Sequence, residues 1–151
     1  MCNALTNFDI QRYANRVKLP HFRGVFMRDT LPQAGTRGPC ECGIVNLNTS
    51  QQPGSHWVCY YIKNDHQQQQ QRVYFDSFGQ ITPIEIQKYL KTKREFDKGD
   101  EVIQRNTDIV QSISSCECGH LCLIVLTALS KNIPFQQILN VLRQRHNDGR
   151  S

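Results

Sequence analysis

Apolar and polar positions along this chain follow first one period and then another, and the switches between them mark its elements. Thr6-Asn7-Phe8-Asp9 has the form of a capping box, and Ile10, Tyr13, Ala14 and Val17 follow at helical spacing before Pro20, which predicts a first helix. From Arg28 to Pro39 the run is broken by Pro32, Gly35, Gly38 and Pro39 and reads as turns. Gly43–Leu47 predicts a short buried strand. Two β-rich runs follow, Trp57–Ile62 and Arg72–Ser77, joined by a polar loop that contains Gln67–Gln71. Those glutamines read as a tolerated loop insertion. Thr82-Pro83-Ile84-Glu85 opens another helix, with proline at its first position and Ile86, Tyr89 and Leu90 as its apolar stripe. Residues 91–105 mix both charge signs, as a solvated connection does, and Ile109-Val110 suggests a short strand leading into Ser112–Ser115. A helix from near Gly119 to about Lys131 follows. The last helix starts at Pro134, with Phe135, Ile138, Leu139 and Leu142 on one face and Arg143, Arg145 and Arg150 as a basic, solvated tail. No repeat or linker divides the sequence, so one domain over residues 1–151 is expected.

Composition narrows the class. The 151 residues, 38% apolar and 21% charged, are those of an ordinary globular protein with enough chain for one core. Met1–Val17 lacks an apolar run behind basic residues, and the longest apolar stretch, Leu121–Leu129, is about half of what a membrane span needs. The expectation is an intracellular or particle-packaged protein without a membrane partner. Seven cysteines, an odd number without an export signal, argue against a disulfide framework and leave buried thiols, a metal site or a catalytic thiol. The net charge of +5 permits an acidic partner such as DNA.

Two segments bring chemistry into view. If Trp57–Ile62 and Arg72–Ser77 form an antiparallel hairpin centred near His66, Tyr60 faces Arg72, Val58 faces Tyr74 and His56 faces Asp76. An imidazole and a carboxylate then meet at the open end, with Cα atoms roughly 5 Å apart. The carboxylate can accept the Nδ1 proton and leave Nε2 as a base, although a surface His–Asp pair would read the same way. The second segment runs from Gln111 through Cys116-Glu117-Cys118-Gly119-His120. A thiol at a helix start feels the positive end of the helix dipole and unpaired amides, which lower its pKa. Gly119 leaves room for a substrate backbone, and the Cys118 amide with the Gln111 side chain can donate to a carbonyl oxygen under attack. A cysteine at a helix start is by itself more often inert, so the combination of four residues carries the reading.

His56-Trp57, Asp76 closing a strand, and Gln111 seven residues before Cys118-Gly119 resemble the adenovirus protease (adenain) family of cysteine proteases, with the SUMO-specific proteases as more distant relatives. Phe22-Arg-Gly-Val-Phe-Met-Arg28, Cys42-Gly-Ile-Val-Asn46, Gly54-Ser-His56-Trp57, Phe75-Asp-Ser-Phe-Gly79 and Cys118-Gly-His-Leu-Cys122 extend the likeness over roughly residues 5–130. It is closest in look to the proteases of Polinton or Maverick mobile elements and related viruses. The resemblance implies an α+β fold, a central mixed β-sheet flanked by helices in the papain-like manner, with the cysteine at the N-terminus of a buried helix. It implies His56 as general base, Asp76 as its orienting acid, Gln111 in the oxyanion hole, Cys118 as nucleophile, and Trp57 and Gly119 lining the substrate site. It also implies a cysteine endopeptidase that processes viral or mobile-element precursors during virion maturation, in the host nucleus or the virion. Its partner is a polypeptide substrate, without metal or small-molecule cofactor. Adenain has Glu at the Asp76 position, which keeps the carboxylate. No cysteine clearly matches the one that tethers adenain's activating peptide, so a peptide or DNA activator is only weakly implied.

Three alternatives stand beside this reading. One is removal of ubiquitin or SUMO from conjugates. Another is a zinc module built from Cys40-Glu41-Cys42-Gly43 and Cys116-Glu117-Cys118-Gly119, although structural knuckles usually space their cysteines more widely. The third is a DNA-binding or scaffold module, against which stands the scatter of the basic residues. Cys59 and Cys122 lie in apolar runs and read as core thiols, while His120 reads as a packing or capping residue.

Overall fold

A computed structural model describes residues 4–33, 35–36, 38–48, 56–64, 70–91, 103–112 and 115–149. Gln67–Gln69, residues 92–102 of the charged connection, His66 and Arg150 lie outside them. Among the described residues the order is α1 (Asn7–Arg16), β1 (Phe22–Met27), β2 (Cys40–Asn46), β3 (Trp57–Asn64), β4 (Gln70–Phe75), α2 (Ile84–Leu90), β5 (Gln104–Arg105), α3 (Cys118–Ser130) and α4 (Phe135–Asp148).

The strands lie side by side in chain order in one mixed sheet. β1 runs parallel to β2, β2–β3–β4 is antiparallel, and β5 returns parallel to β4. Alternation along β3 and β4 sorts side chains onto two faces. Trp57, Cys59, Tyr61, Val73 and Phe75 join a core with residues of α1, α3 and α4. Val58, Tyr60, Ile62 and Tyr74 join a second core with Ile86, Tyr89 and Leu90 of α2. Both faces are covered, so β3 reads as a continuous apolar run. The α+β class with a central mixed sheet flanked by helices is therefore the observed architecture.

Local chemistry sets both ends of α1. At α1 the Thr6 hydroxyl accepts from the Asp9 amide (3.1 Å), and the Asp9 carboxylate accepts from the Thr6 amide (2.9 Å), which is the expected capping box. The helix stops before Pro20. Lys18 adopts φ 54° and the Leu19 amide donates back to Ala14 O at 3.1 Å, a Schellman-type end.

Several elements differ from expectation. β1 is a strand that the apolar pattern did not mark. The 109–110 strand is not formed, since Ile109 is exposed; the added strand is Gln104–Arg105 instead. Gln70 and Gln71 extend β4 rather than belonging wholly to a loop. The hairpin register is offset by two residues from the expected one, pairing Tyr60 with Tyr74 and Ile62 with Arg72. An even offset keeps every side chain on its expected face, which is why the core assignments survive it.

Candidate active site

His56 immediately precedes β3 and Asp76 immediately follows β4, so the hairpin delivers both to one end of the sheet. With the observed register their Cα atoms are not directly opposite, and the imidazole spans the gap. Its Nε2 lies 2.7 Å from Asp76 Oδ1. This reverses the expected use of the ring: the distal nitrogen faces the carboxylate, and Nδ1 is left for the thiol. Phe78 stacks on the imidazole with centroids 4.7 Å apart, which restricts its rotation.

The Asp76 carboxylate is buried, and its contacts converge on Oδ1. Its Oδ1 also accepts from the Phe78 amide at 2.9 Å. Asn106 grips the same residue's main chain: its Oδ1 accepts from the Asp76 amide (3.2 Å) and its Nδ2 donates to the Asp76 carbonyl (2.6 Å). The following turn needs Gly79 at φ 66°, where a Cβ would lie 2.6 Å from the Asp108 carbonyl oxygen. Residues 76–79 and 106–108 thus form one interlocked corner.

Cys118 is the first residue of α3, and its thiol lies in the same end of the molecule as His56. Burial works against charge on both groups. On His56 the Asp76 hydrogen bond, the Cys118 contact and their charges outweigh burial and lift the pKa from 6.5 to about 9. On Cys118 burial is outweighed by hydrogen bonding from His56 and from the Trp57 and Gly119 amides, and the thiol falls below its ordinary value of 9. The arrangement favours a thiolate–imidazolium pair. The other sulfurs differ: burial pushes the Cys42 thiol up to about 12 and drives Cys122 up as well. Cys59 and Cys122 are core thiols, as expected.

Gln111 is buried. Its Oε1 accepts from the Ser77 hydroxyl, and its Nε2 donates to the Ser115 carbonyl at 2.8 Å. Trp57 is buried with its indole N–H on the Leu5 carbonyl at 2.9 Å. A Cβ on Gly119 would come 3.2 Å from Leu5 Cδ1 and 3.3 Å from Trp57 Cδ1. The missing side chain therefore accommodates the close approach of these two residues.

Cys116 is disulfide-bonded, while Cys40, Cys42, Cys59, Cys118 and Cys122 are free. Cys42 Sγ donates to Pro20 O at 3.5 Å, and no group of three or more His, Cys, Asp or Glu among the described residues is arranged to hold a metal ion. No helix among them is long and apolar enough to cross a membrane. Sequence reasoning missed Ser77, Asn106, Phe78 and Leu5. Phe78-Gly79 carried a turn signal, whereas Asn106 and Leu5 act through main-chain contacts that no motif announces.

Residues 40–149 match the Ulp1 protease family, C-terminal catalytic domain. The chain belongs to this family of cysteine proteases. No curated protein matches it by sequence. In fold it is similar to the ASFV pS273R protease, with a TM-score of 0.56 at 16% identity over 95% of this chain and 66% of that one. A selenomethionine form of the same protease gives 0.55 and 18%, over 95% and 67%. The chain thus spans about two thirds of that protease's length.

Proposed function

We propose that this chain is a cysteine endopeptidase with Cys118 as nucleophile, His56 as base and acid, Asp76 as the carboxylate that orients and charges His56, and Gln111 as an oxyanion donor. The observation that carries the reading is the imidazole held at 2.7 Å by Asp76 while it lowers the pKa of a thiol at a helix N-terminus. In this mechanism the thiolate attacks the scissile carbonyl carbon. The carbonyl oxygen becomes an oxyanion that accepts from the Cys118 amide and the Gln111 side chain. His56 gives its Nδ1 proton to the leaving amine, and a thioester to Cys118 remains. Water, deprotonated by His56, then attacks the thioester, which releases the acid and restores the thiolate–imidazolium pair. Trp57 and Gly119 support the site from within, packed against each other and Leu5, rather than lining a substrate surface as the resemblance implied.

The substrate proposed is a viral or mobile-element precursor polypeptide, cleaved beside small residues such as glycine, in the host nucleus or the virion. Membership of the Ulp1 protease family favours a second reading, release of a ubiquitin-like protein from conjugates. One experiment tests both. Purified protein is incubated with a proteome-derived peptide library and with ubiquitin and SUMO conjugates, and products are mapped by mass spectrometry. Internal cleavage of library peptides supports the endopeptidase. Cleavage confined to conjugates favours the second reading, and no cleavage beyond that of Cys118→Ser removes both.

A further inference from the structure

Gln111 can serve an oxyanion only if its amide is turned the right way round. A primary amide has an acceptor end and a donor end of nearly the same shape, and a flipped side chain would present its oxygen to a developing negative charge. Two contacts determine the orientation here. The Ser77 hydroxyl donates to Oε1, and the Ser115 carbonyl takes one Nε2 hydrogen at 2.8 Å, which leaves the second Nε2 hydrogen free to donate. Ser77 is fully buried, and its own carbonyl accepts from the Val110 amide at 2.8 Å, next to Gln111. It also directly follows Asp76. One dipeptide therefore bonds to the base with its first side chain and to Gln111 with its second.

We propose that Ser77 is a positioning residue of the oxyanion hole, whose hydroxyl fixes the Gln111 amide with its donor end toward the reacting carbonyl oxygen. The proposal rests on the protease reading above and deepens it. Without the hydroxyl, Oε1 loses its buried donor and the amide is free to rotate or flip. Only steps that build charge on a carbonyl oxygen should suffer. Alkylation of the thiolate by iodoacetamide builds charge on the departing iodide and needs no oxyanion donor.

The test uses Ser77→Ala, Gln111→Ala and the double variant on a fluorogenic peptide amide ending in Gly-Gly, with the iodoacetamide rate at Cys118 measured in parallel. Ser77→Ala should lower kcat by roughly 10- to 100-fold, with KM within about twofold and the alkylation rate unchanged, since a donor removed outright costs about 100- to 1,000-fold. The double variant should be no slower than Gln111→Ala alone, because Ser77 acts through Gln111. Ser77→Cys keeps a weak donor and should fall between wild type and Ser77→Ala, which provides a second readout if the alanine variant melts early. Loss of alkylation together with hydrolysis, or additive losses in the double variant, would overturn the proposal and assign Ser77 to the His56–Asp76 side. An inactive wild-type enzyme would instead remove the protease reading itself.

Discussion

At the scale of single residues, the charge state of two groups governs the chemistry. His56 is lifted from 6.5 to about 9, so protonation of its ring favours the folded protein below pH 6.5 and that contribution fades as pH rises through about 9. Cys118 is lowered, so its contribution is present above its ordinary 9 and is lost as pH falls through the depressed value. The thiolate–imidazolium pair should exist between these limits, and kcat/KM should decline on the alkaline side near pH 9. Asp76→Asn removes the carboxylate that lifts the ring. Its activity should be severely reduced, and the remaining alkaline limb should move toward the ordinary histidine range; a limb that stays in place would show that Asp76 does not set it. His56→Ala should abolish hydrolysis and still fold cooperatively, with a lowered melting temperature because the buried Asp76 carboxylate loses its partner. Limiting iodoacetamide at mildly acidic pH should label Cys118 first, since Cys42 and Cys122 are pushed up and Cys116 is disulfide-bonded. Cys116→Ser should keep most activity and Cys118→Ser essentially none.

At the scale of elements, the second core, packed against α2, provides a contrast to the active site. Tyr60 donates to the buried Glu41 at 2.5 Å, and Arg23 bonds both Tyr89 (2.5 Å) and Glu41 (3.3 Å), which ties α2 to β1, β2 and β3. Gly43 makes this possible, because a Cβ there would stand 2.7 Å from the Tyr60 ring. Gly43→Ala should therefore cost about 1–3 kcal/mol through overpacking, read as a lower urea midpoint, while turnover per folded molecule changes little. A loss of turnover without loss of stability would show that the second core and the active site are coupled. The helices were legible because each has a full apolar stripe, and α1 a cap as well. β1 was not, since all six of its residues are only half-buried and Gly24 interrupts them. The hairpin was legible in kind but not in register, because period-two patterning cannot distinguish an offset of two. The nitrogens of His56 were misassigned for another reason, since facing an imidazole with a carboxylate does not say which ring nitrogen reaches it. Cys118, His56, Asp76 and Gln111 could be singled out because nucleophile, base, acid and amide are chemically distinctive residue types. Ser77 and Asn106 could not, because a buried serine or asparagine in a turn looks like any other.

At the scale of the whole molecule, the proposed catalytic groups come from three separate stretches of chain, and α4 helps hold one of them. Arg143 bonds Asp108 through Nε at 2.5 Å and Nη2 at 3.1 Å, and Arg145 bonds Glu117 at 2.8 Å. These arginines stay partly solvated, as expected of the tail, while each pairs with an acid. The two acids bracket the segment that carries Gln111, and Glu117 adjoins Cys118. Asp108 also accepts from Asn106 through its carbonyl at 3.2 Å, so Arg143 is linked through Asp108 and Asn106 to Asp76. Both pairs are a third or more exposed, and such pairs contribute only about 0.2–1 kcal/mol each. Their effect on stability should be small, but their effect on the placement of the segment need not be. Arg143→Ala should lower the melting temperature by no more than a few degrees and reduce kcat several-fold with KM held, and high salt should reproduce part of that loss in the wild type. Melting and turnover measured on the same preparations check this. A kcat unchanged in Arg143→Ala would mean that the corner formed by residues 76–79 and 106–108 holds its geometry without α4, through Asn106 and Gly79 alone.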